Sequence, residues 1–340
     1  MGLTRFPHGI LATPNLGTDS GGYGRLVQLW ESDNIWFVDG DNDSVGHAGN
    51  TPDASVALIS TAVGLASKGG TIYVKPRLSD TSAQSYYYDT IEIPLSKPGM
   101  SIIGAGTPSS RAGVQLKPST DHLAEDVIVI KGGGVTLENM RLTGNGGTAD
   151  QYKSIVSAIS VTGSSNPDGL TIRHCRFEGD KSVPRIASST DMNAAVALGT
   201  ASYSTIEDNT FYSCHGGIVG QLATAAYHNV TITRNLFSGA PANRVCDVFL
   251  MHGTTGGVVI THNIFADGLP THAPGASGNY FVKITDAGTG ILAWNAFATT
   301  ADGEVAKAAG SECIIPATYF TAGNVYEGAA SEGDGFCRRT

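Results

Sequence analysis

An eight-residue pattern that recurs along most of the chain constrains the fold more than any other feature of the sequence. Residues 230–237 read VTITRNLF, and residues 258–265 read VVITHNIF. Related copies begin at positions 100, 135, 170, 204, 290 and 319, so successive copies start 26 to 35 residues apart. Repetition at this period is typical of a solenoid, in which each repeat forms one coil and stacks on its neighbours.

The residues within each copy indicate a short strand followed by a bend. The first and third positions are mostly aliphatic, and the second and fourth are polar or variable. This alternation predicts a strand with one buried face. The sixth position is usually Asn. Because Asn tolerates a left-handed backbone and bonds to nearby main-chain groups, we interpret it as the bend residue.

Stacking of such coils predicts two ladders inside the solenoid. One consists of amides, and the other consists of the aromatic rings at the eighth position, each of which contributes about 1.5–3 kcal/mol on burial. Repetition at one coil position favours an internal stack over a strip of sugar-binding side chains. The amide ladder comprises Asn209, Asn235, Asn263 and Asn295, with Asn324 as a candidate fifth member, and the aromatic ladder comprises Phe177, Phe211, Phe237, Phe265 and Phe297.

A second family of short strands follows the repeats. Its members are predicted at residues 126–131, 158–162, 195–198, 216–219, 248–252, 280–285 and 313–317. Two or three short strands per coil, joined by bends rather than helices, predict an all-β fold, a parallel β-helix solenoid. The composition agrees, since 44 of the 340 residues are Gly and the helix-forming residues Leu, Lys, Glu and Arg are scarce.

One helix is predicted ahead of the first coil, over residues 51–67. Thr51 suits the N-cap, Pro52 suits the first helical position, and Gly69 and Gly70 follow the end. The apolar face of this helix is formed by Val56, Ile59, Val63 and Ala66. We expect the helix to cover the open end of the solenoid, where unpaired strand edges would otherwise be exposed.

The segment around this helix resembles a known superfamily. Residues 36–43 read WFVDGDND, and the first strand reads TIYVKP over residues 71–76. Together with the helix, they are similar to the entrance of the pectate-lyase-like, right-handed β-helix superfamily. The resemblance implies a right-handed β-helix with an N-terminal capping α-helix. Members include secreted polysaccharide lyases and hydrolases and bacteriophage spike proteins, and for a spike the resemblance implies a homotrimer.

The extreme N-terminus carries a second, narrower resemblance. Residues 3–10 read LTRFPHGI, which is similar to the T-R-F-P-x-G opening of structural proteins in short-tailed phages of marine bacteria, with departures at His8 and Ile10. The resemblance implies virion attachment through Thr4, Arg5, Phe6 and Pro7. The predicted organisation is an attachment arm over residues 1–35, an entrance strand and capping helix over 36–70, the β-helix over 71–326, and a C-terminal tail over 327–340.

The charge and the cysteine content limit the possible binding partners and the cellular compartment. The formal net charge is −9 and no run of Lys or Arg occurs, which argues against binding to nucleic acid or to a membrane surface. No apolar run approaches the length that spans a bilayer, so membrane insertion is not expected. The first residues lack the apolar core of a signal peptide. Five scattered cysteines without C-x-x-C spacing are interpreted as reduced thiols of a protein made in the host cytoplasm, with a late disulfide left open. The expected location is the virion.

The motifs of a polygalacturonase-like hydrolase do not occur in the sequence. The resemblance implies Asn-Thr-Asp, Asp-Asp, Gly-His-Gly and Arg-x-Lys for such an enzyme, and none of the four is present. A glycosidase also needs two carboxyl groups about the scissile bond. Glu138 and Glu207 share one repeat position, but Arg173 occupies that position on the coil between them. We interpret the three as a charge ladder on the surface.

A lyase would need a carboxylate cluster and a basic residue. The weak candidates are Asp247, His252, Lys283 and Asp286, on or beside two consecutive members of the second strand family. We favour a solvated strand edge for this group, so no catalytic residue is assigned and a non-enzymatic role is favoured over an enzymatic one.

No cofactor or metal site is predicted. Asp39, Asp41 and Asp43 have the one-three-five spacing of an EF-hand loop, but Ser44 and Asn50 replace the Gly and Glu that the loop requires. A solvated turn fits this segment better.

The sequence therefore predicts a structural component of a bacteriophage virion, a surface spike or decoration protein on the head or tail. Its expected partners are other virion proteins, copies of itself, and a host surface glycan as a further candidate. The alternative is a polysaccharide depolymerase, either lyase or glycoside hydrolase, on the same fold. A third interpretation is a receptor-binding lectin without cleavage activity.

Overall fold

The computed structural model describes most of the repeat region. The described residues are 34–41, 48–77, 86–108, 113–118, 126–143, 155–158, 167–179, 194–199, 201–214, 216–220, 228–238, 246–250, 256–266, 280–284, 288–298, 313–315, 317–327 and 337–339.

These residues form a parallel β-helix with three sheets, named A, B and C, in which hydrogen-bonded neighbours come from successive coils. The predicted all-β solenoid is confirmed. Sheet A contains the ten strands Ile35–Val38, Thr71–Val74, Ser101–Gly104, Thr136–Glu138, Thr171–Arg173, Thr205–Glu207, Thr231–Thr233, Gly256–Thr261, Thr289–Ala293 and Tyr319–Ala322. Sheet B contains the nine strands Tyr87–Tyr88, Val114–Lys117, Met140–Thr143, Arg176–Glu178, Thr210–Tyr212, Leu236–Ser238, Ile264–Phe265, Ala296–Ala298 and Val325–Glu327. Sheet C contains the nine strands Ile91–Ile93, Ile128–Ile130, Val156–Ala158, Ala194–Ala197, Gly216–Gly220, Cys246–Leu250, Tyr280–Ile284, Cys313–Ile315 and Cys337–Arg339.

Each of the seven repeats from residue 135 onward passes from sheet A to sheet B through one left-handed residue at its fifth position. The expectation that the Asn at the sixth position takes this geometry is wrong. The sixth residue is buried and bonds across coils, so the turn is made by the more exposed residue before it. The left-handed residues, with φ between 52° and 62°, are Asn139, His174, Asp208, Arg234, His262, Trp294 and Gly323.

Sheet C is built from the second strand family, and several of its strands differ in their bounds from the sequence prediction. The strand expected over residues 158–162 lies at Val156–Ala158, where it pairs in register with Ile128–Ile130. In addition, Cys337–Arg339 pairs in parallel with Cys313–Ile315, so the sheet includes residues of the segment 327–340 that the sequence assigned to a tail.

The helix predicted over residues 51–67 consists of two shorter pieces. A 3-10 turn spans Pro52–Ala54 with the Thr51 side chain as its cap, and helix α1 spans Ile59–Leu65. Between the two pieces, Val56 forms a parallel bridge with Val38 at the edge of sheet A. This pairing with a distant strand keeps the backbone extended and interrupts the helix. Local propensity does not reveal a partner that lies elsewhere in the chain.

Helix α1 covers the N-terminal end of the solenoid and is capped from outside its own segment. It packs against the first strand of sheet C, and Ile59 and Val63 are buried in the core. Leu58 precedes the helix and offers no side-chain cap. Instead, the buried Asp89 accepts a hydrogen bond from the Ser60 N–H at 2.8 Å. Burial raises the pKa of the Asp89 carboxyl, against a lowering by hydrogen bonds from Ser60 and its neighbours.

Candidate binding surface

A continuous amide ladder runs inside the corner between sheets A and B. The backbone N–H and the Nδ2 of Asn209 both donate to Oδ1 of Asn235 at 3.0 Å, and Asn235 repeats this arrangement with Asn263. The pattern continues through Asn295 to Asn324. Each Nδ2 also donates to the carbonyl of a sheet A residue, such as Ile172 for Asn209. The ladder thus satisfies polar groups that would otherwise be buried without partners.

The aromatic rings of sheet B form a second stack directly beside the amides. Successive rings from Phe177 to Phe265 are 4.7–4.9 Å apart between centroids, and their planes lie within 7° of parallel. Phe297 extends the stack at 4.8 Å, and the rings are buried. Both ladders therefore serve the interior of the rod, and the binding properties of the protein must come from its outer faces.

The outer face of the central coils carries paired charges. Arg173 Nη2 donates to Glu138 Oε2 at 2.9 Å, so the two residues on adjacent coils form the expected charge ladder. Further along the rod, Arg234 donates to both carboxylate oxygens of Asp208 and to Glu207. The carboxylates of this region are thus neutralised by neighbouring guanidinium groups.

The pairing has a clear effect on Asp208. Hydrogen bonds from the Arg234 guanidinium hold the pKa of the Asp208 carboxyl below its usual value and raise the pKa of Arg234. Asp208 is therefore ionised at neutral pH. A glycosidase general acid requires the opposite shift, a carboxyl pKa raised by its surroundings.

The left-handed residues at the fifth repeat position form a column along the corner between sheets A and B. Towards the C-terminal end, the charged members of this column give way to aromatic ones. Beyond Arg234, the rings of His262 and Trp294 stack with centroids 5.5 Å apart. The next member is Gly323, where a Cβ would lie only 2.3 Å from Trp294 Cδ1. The faces of the indole are therefore covered by His262 and Gly323, and its edge is what solvent contacts.

The outward columns on either side of this corner become apolar over the same coils. On sheet A, one column reads Thr205, Thr231, Val259, Ile291 and Phe320. On sheet B, the matching column reads Thr210, Leu236, Ile264, Ala296 and Val325. A hydroxyl-bearing surface thus changes into a hydrocarbon surface within three coils.

We name this region the corner surface and define it by Ile264, Ile291, Trp294, Phe320 and Val325. Four of the five side chains are largely exposed, with accessible fractions of 48% for Ile264, 54% for Trp294, 60% for Phe320 and 65% for Val325. The inward positions of the repeat, which predict the core, do not reveal the corner surface. The signal is present in the outward second position, which changes from Thr to Val, Ile and Phe along the chain.

The structure describes only part of the other predicted sites. Asp247 is buried in Cys246–Leu250, and Lys283 is half-buried in the adjacent strand Tyr280–Ile284. The register pairs Lys283 with Phe249, two positions after Asp247, so the two candidates share neighbouring strands but not one level. The candidates His252 and Asp286 and the attachment residues Thr4, Arg5, Phe6 and Pro7 lie outside the described residues.

Two carboxylates of the acidic turn near the N-terminus are paired with cations of the first coil, and Asp43 and Ser44 lie outside the described residues. Asp39 pairs with Lys75 at 2.5 Å, and Asp41 pairs with Arg77 at 3.3 Å. Within the described ranges, no three His, Cys, Asp or Glu residues come together as metal ligands. The helices in that part of the chain are too short and insufficiently apolar to cross a bilayer.

The chain belongs to the right-handed β-helix family. The family model described as "Right handed beta helix region" matches residues 110–306, which is more than half of the sequence. This match confirms the predicted right-handed β-helix superfamily. A search of the curated proteins found no match.

Several solved structures are similar to this chain at low identity. Pectin methylesterase from Aspergillus niger is 13% identical, with 90% of each chain covered and a TM-score of 0.46. Pectin methylesterase from carrot is 13% identical over 88% of this chain and 84% of its own, with a TM-score of 0.47. Pectate lyase Pel9A is 12% identical over 88% of this chain and 78% of its own, with a TM-score of 0.43. At these values the similarity does not bear on activity.

Proposed function

We propose that the protein is a structural component of a bacteriophage virion, a rigid β-helical rod that projects from the head or tail as a spike or decoration protein. The observation that carries this proposal is the corner surface. Large apolar side chains that are exposed together on neighbouring coils are typical of protein interaction sites. A chain that works within an assembly has a reason to keep these side chains exposed before it assembles.

Copies of the same chain are the partner that the corner surface fits best. Its register columns from Val259 to Phe320 and from Ile264 to Val325 carry no charged side chain. The chain as a whole has a net charge of −9, so copies repel one another elsewhere, but they can meet at this neutral face without burying an unpaired charge. A closed homotrimer follows from the resemblance to spike proteins, and rotational symmetry would bring the three surfaces together at one axis.

Attachment to the particle is assigned to the N-terminal arm. The support is the similarity of residues 3–10 to the opening of phage structural proteins, with Thr4, Arg5, Phe6 and Pro7 as the contact residues. The arm precedes helix α1 in the sequence. In this proposal, the polar and charged faces of the central coils remain available to a host surface glycan.

Mass spectrometry of purified particles tests the virion assignment. Particles of a phage that encodes this chain, purified on two successive density gradients, should contain its peptides at a constant ratio to the major capsid protein. A Thr4–Pro7 deletion supplied in place of the wild-type chain should reduce that ratio at least tenfold. Absence of the wild-type protein from the particles, despite its presence in the lysate, would refute the proposal.

A polysaccharide depolymerase is the second candidate. The observation in its favour is that Asp247 and Lys283 lie on neighbouring strands of sheet C. It predicts new reducing ends or unsaturated sugars when the purified protein is incubated with host glycan, and loss of that signal in Lys283→Met. Binding of the glycan without products would favour the lectin interpretation.

A further inference from the structure

One column of sheet C, defined by the strand register, ends in two successive cysteines. Its first seven members are in direct register from coil to coil, all are Ile or Val, and all are buried: Ile91, Ile128, Val156, Val196, Ile218, Val248 and Val282. Cys313 follows Val282, and Cys337 is the register partner of Cys313. A column of branched aliphatic residues thus changes to Cys at its last two described positions.

Among the described strands, no other cysteines are register partners. Cys246 is aligned with Gly216 on one side and with Tyr280 on the other. Cys175 is fully buried, and burial raises the pKa of its thiol to about 12, which makes it inert towards exchange. The pairing of Cys313 with Cys337 is therefore a specific feature of the C-terminal end.

We propose that Cys313 and Cys337 are a disulfide-forming site that fastens the last strand of sheet C to the solenoid. In-register residues of neighbouring parallel strands lie about 4.8 Å apart. This separation falls within the range of about 4.4–6.8 Å that disulfide-bonded Cα atoms occupy. The Cα separation therefore permits a disulfide, which also requires the two Cβ atoms to approach to about 3.5–4.5 Å.

The position of the site explains what the bond would do. Cys337–Arg339 is the last strand of sheet C in the described part of the chain and pairs there with one neighbour. A terminal strand with a single neighbour opens more readily than a central one. A covalent link to Cys313 would hold the terminal strand against its neighbour. It would stabilise the fold because it restricts the conformations of the unfolded chain.

The reaction is an ordinary thiol–disulfide exchange with a small disulfide such as oxidised glutathione. One protein thiol loses its proton, attacks the small disulfide, and releases one molecule of glutathione. The second protein thiol then loses its proton and displaces the second glutathione. Two protein thiols are oxidised by two electrons, one disulfide is reduced, and two glutathione thiols are produced. Since Cys313 is buried, exchange requires local opening of the terminal strand.

Thiol counting on the full-length protein tests the proposal. The folded protein is incubated with oxidised glutathione, and the reagent is then removed. The protein is unfolded in guanidinium in the presence of iodoacetamide, and its mass is measured by intact-protein mass spectrometry. We expect three alkylated cysteines after oxidation and five after reduction, with a peptide that links Cys313 to Cys337. Cys175→Ser should keep that link, and Cys337→Ser should leave all four remaining cysteines open to alkylation. Five alkylated cysteines in the oxidised wild type, or a link between other cysteines, would overturn the proposal.

A measurement of melting temperature separates the effect of the disulfide from a general failure of a variant to fold. A double variant, Cys313→Val with Cys337→Val, extends the aliphatic column and should fold. We expect oxidised wild type to melt a few degrees above reduced wild type, and the double variant to melt at the same temperature with and without reductant. Equal melting temperatures for oxidised and reduced wild type would contradict a fastening role.

Discussion

Asn263 donates two hydrogen bonds to the side-chain oxygen of Asn295, one from its backbone N–H and one from Nδ2, both at 3.0 Å. Each amide of the ladder therefore fixes the coil that follows it as well as its own bend. The geometry is the same at every step from Asn209 to Asn324, so the ladder should contribute to stability at each coil.

Replacing a central amide of the ladder should be costly. Asn263→Ala removes the acceptor of the Asn235 N–H and the donor to the Ile232 carbonyl, both buried groups. We expect a loss of about 3 kcal/mol in the free energy of unfolding, measured by urea denaturation, because each orphaned group costs about 1–3 kcal/mol. Asn324→Ala is the matched control at the partly exposed end of the ladder, where water can replace the lost partners. Equal losses at the two positions would contradict this account.

The aromatic stack makes a second prediction. The Phe237 ring lies 4.7 Å from Phe211 and 4.9 Å from Phe265, so Phe237→Ala opens a cavity between two rings. The expected loss in the free energy of unfolding is about 3–5 kcal/mol. Tyr212→Ala, on the outward face of the same sheet, should cost less than about 1 kcal/mol in the same denaturation experiment. A small effect at Phe237 would mean that the stack is not a main source of stability.

Gly323 should be intolerant of any side chain because of Trp294. Gly323→Ala introduces left-handed strain at a φ of 62° and a contact with the indole. The change should be more destabilising than Gly69→Ala, where φ is 70° and no atom lies within 4 Å of the added Cβ. Adding Trp294→Ala should recover the difference and leave a strain of about 1–2 kcal/mol. Additive effects in this double-mutant cycle would show that the contact is not responsible.

The cap of helix α1 predicts a pH dependence. Burial raises the folded-state pKa of Asp89 above the unfolded value of about 3.9. The stabilisation that this group supplies is therefore full below pH 3.9 and is lost as the pH rises through the folded pKa. The free energy of unfolding of wild type, relative to Asp89→Asn, should decrease between about pH 3.5 and the neutral range. A relative stability that rises with pH would contradict the conclusion that burial raises the pKa of Asp89.

Much of the fold follows from the sequence because a solenoid repeats one local rule. The alternation of the repeat predicts the strands of sheet A, and the position of Phe237 or Phe265 within it predicts a common column. Two features depend on contacts between distant residues and could not be read locally. Val56 leaves the helix because Val38 offers a strand partner, and the bend falls on the residue before Asn because the amide is needed inside.

The outer surface was harder to predict than the core. Inward positions repeat with the same residue type, so one copy predicts the next. Outward positions such as Thr231 and Phe320 differ along one column, and their meaning appears only when the register aligns them. The corner surface is therefore a property of the assembled sheet rather than of a motif.

Sedimentation velocity of the full chain tests the central claim, that the corner surface joins copies of this protein. The wild-type chain should sediment as an assembly with about three times the mass of one chain. The double variant Phe320→Asp with Val325→Asp changes only exposed positions, so it should keep the circular dichroism spectrum of wild type and sediment as a monomer. A wild-type protein that remains monomeric at micromolar concentration, or a double variant that assembles as wild type does, would contradict the account.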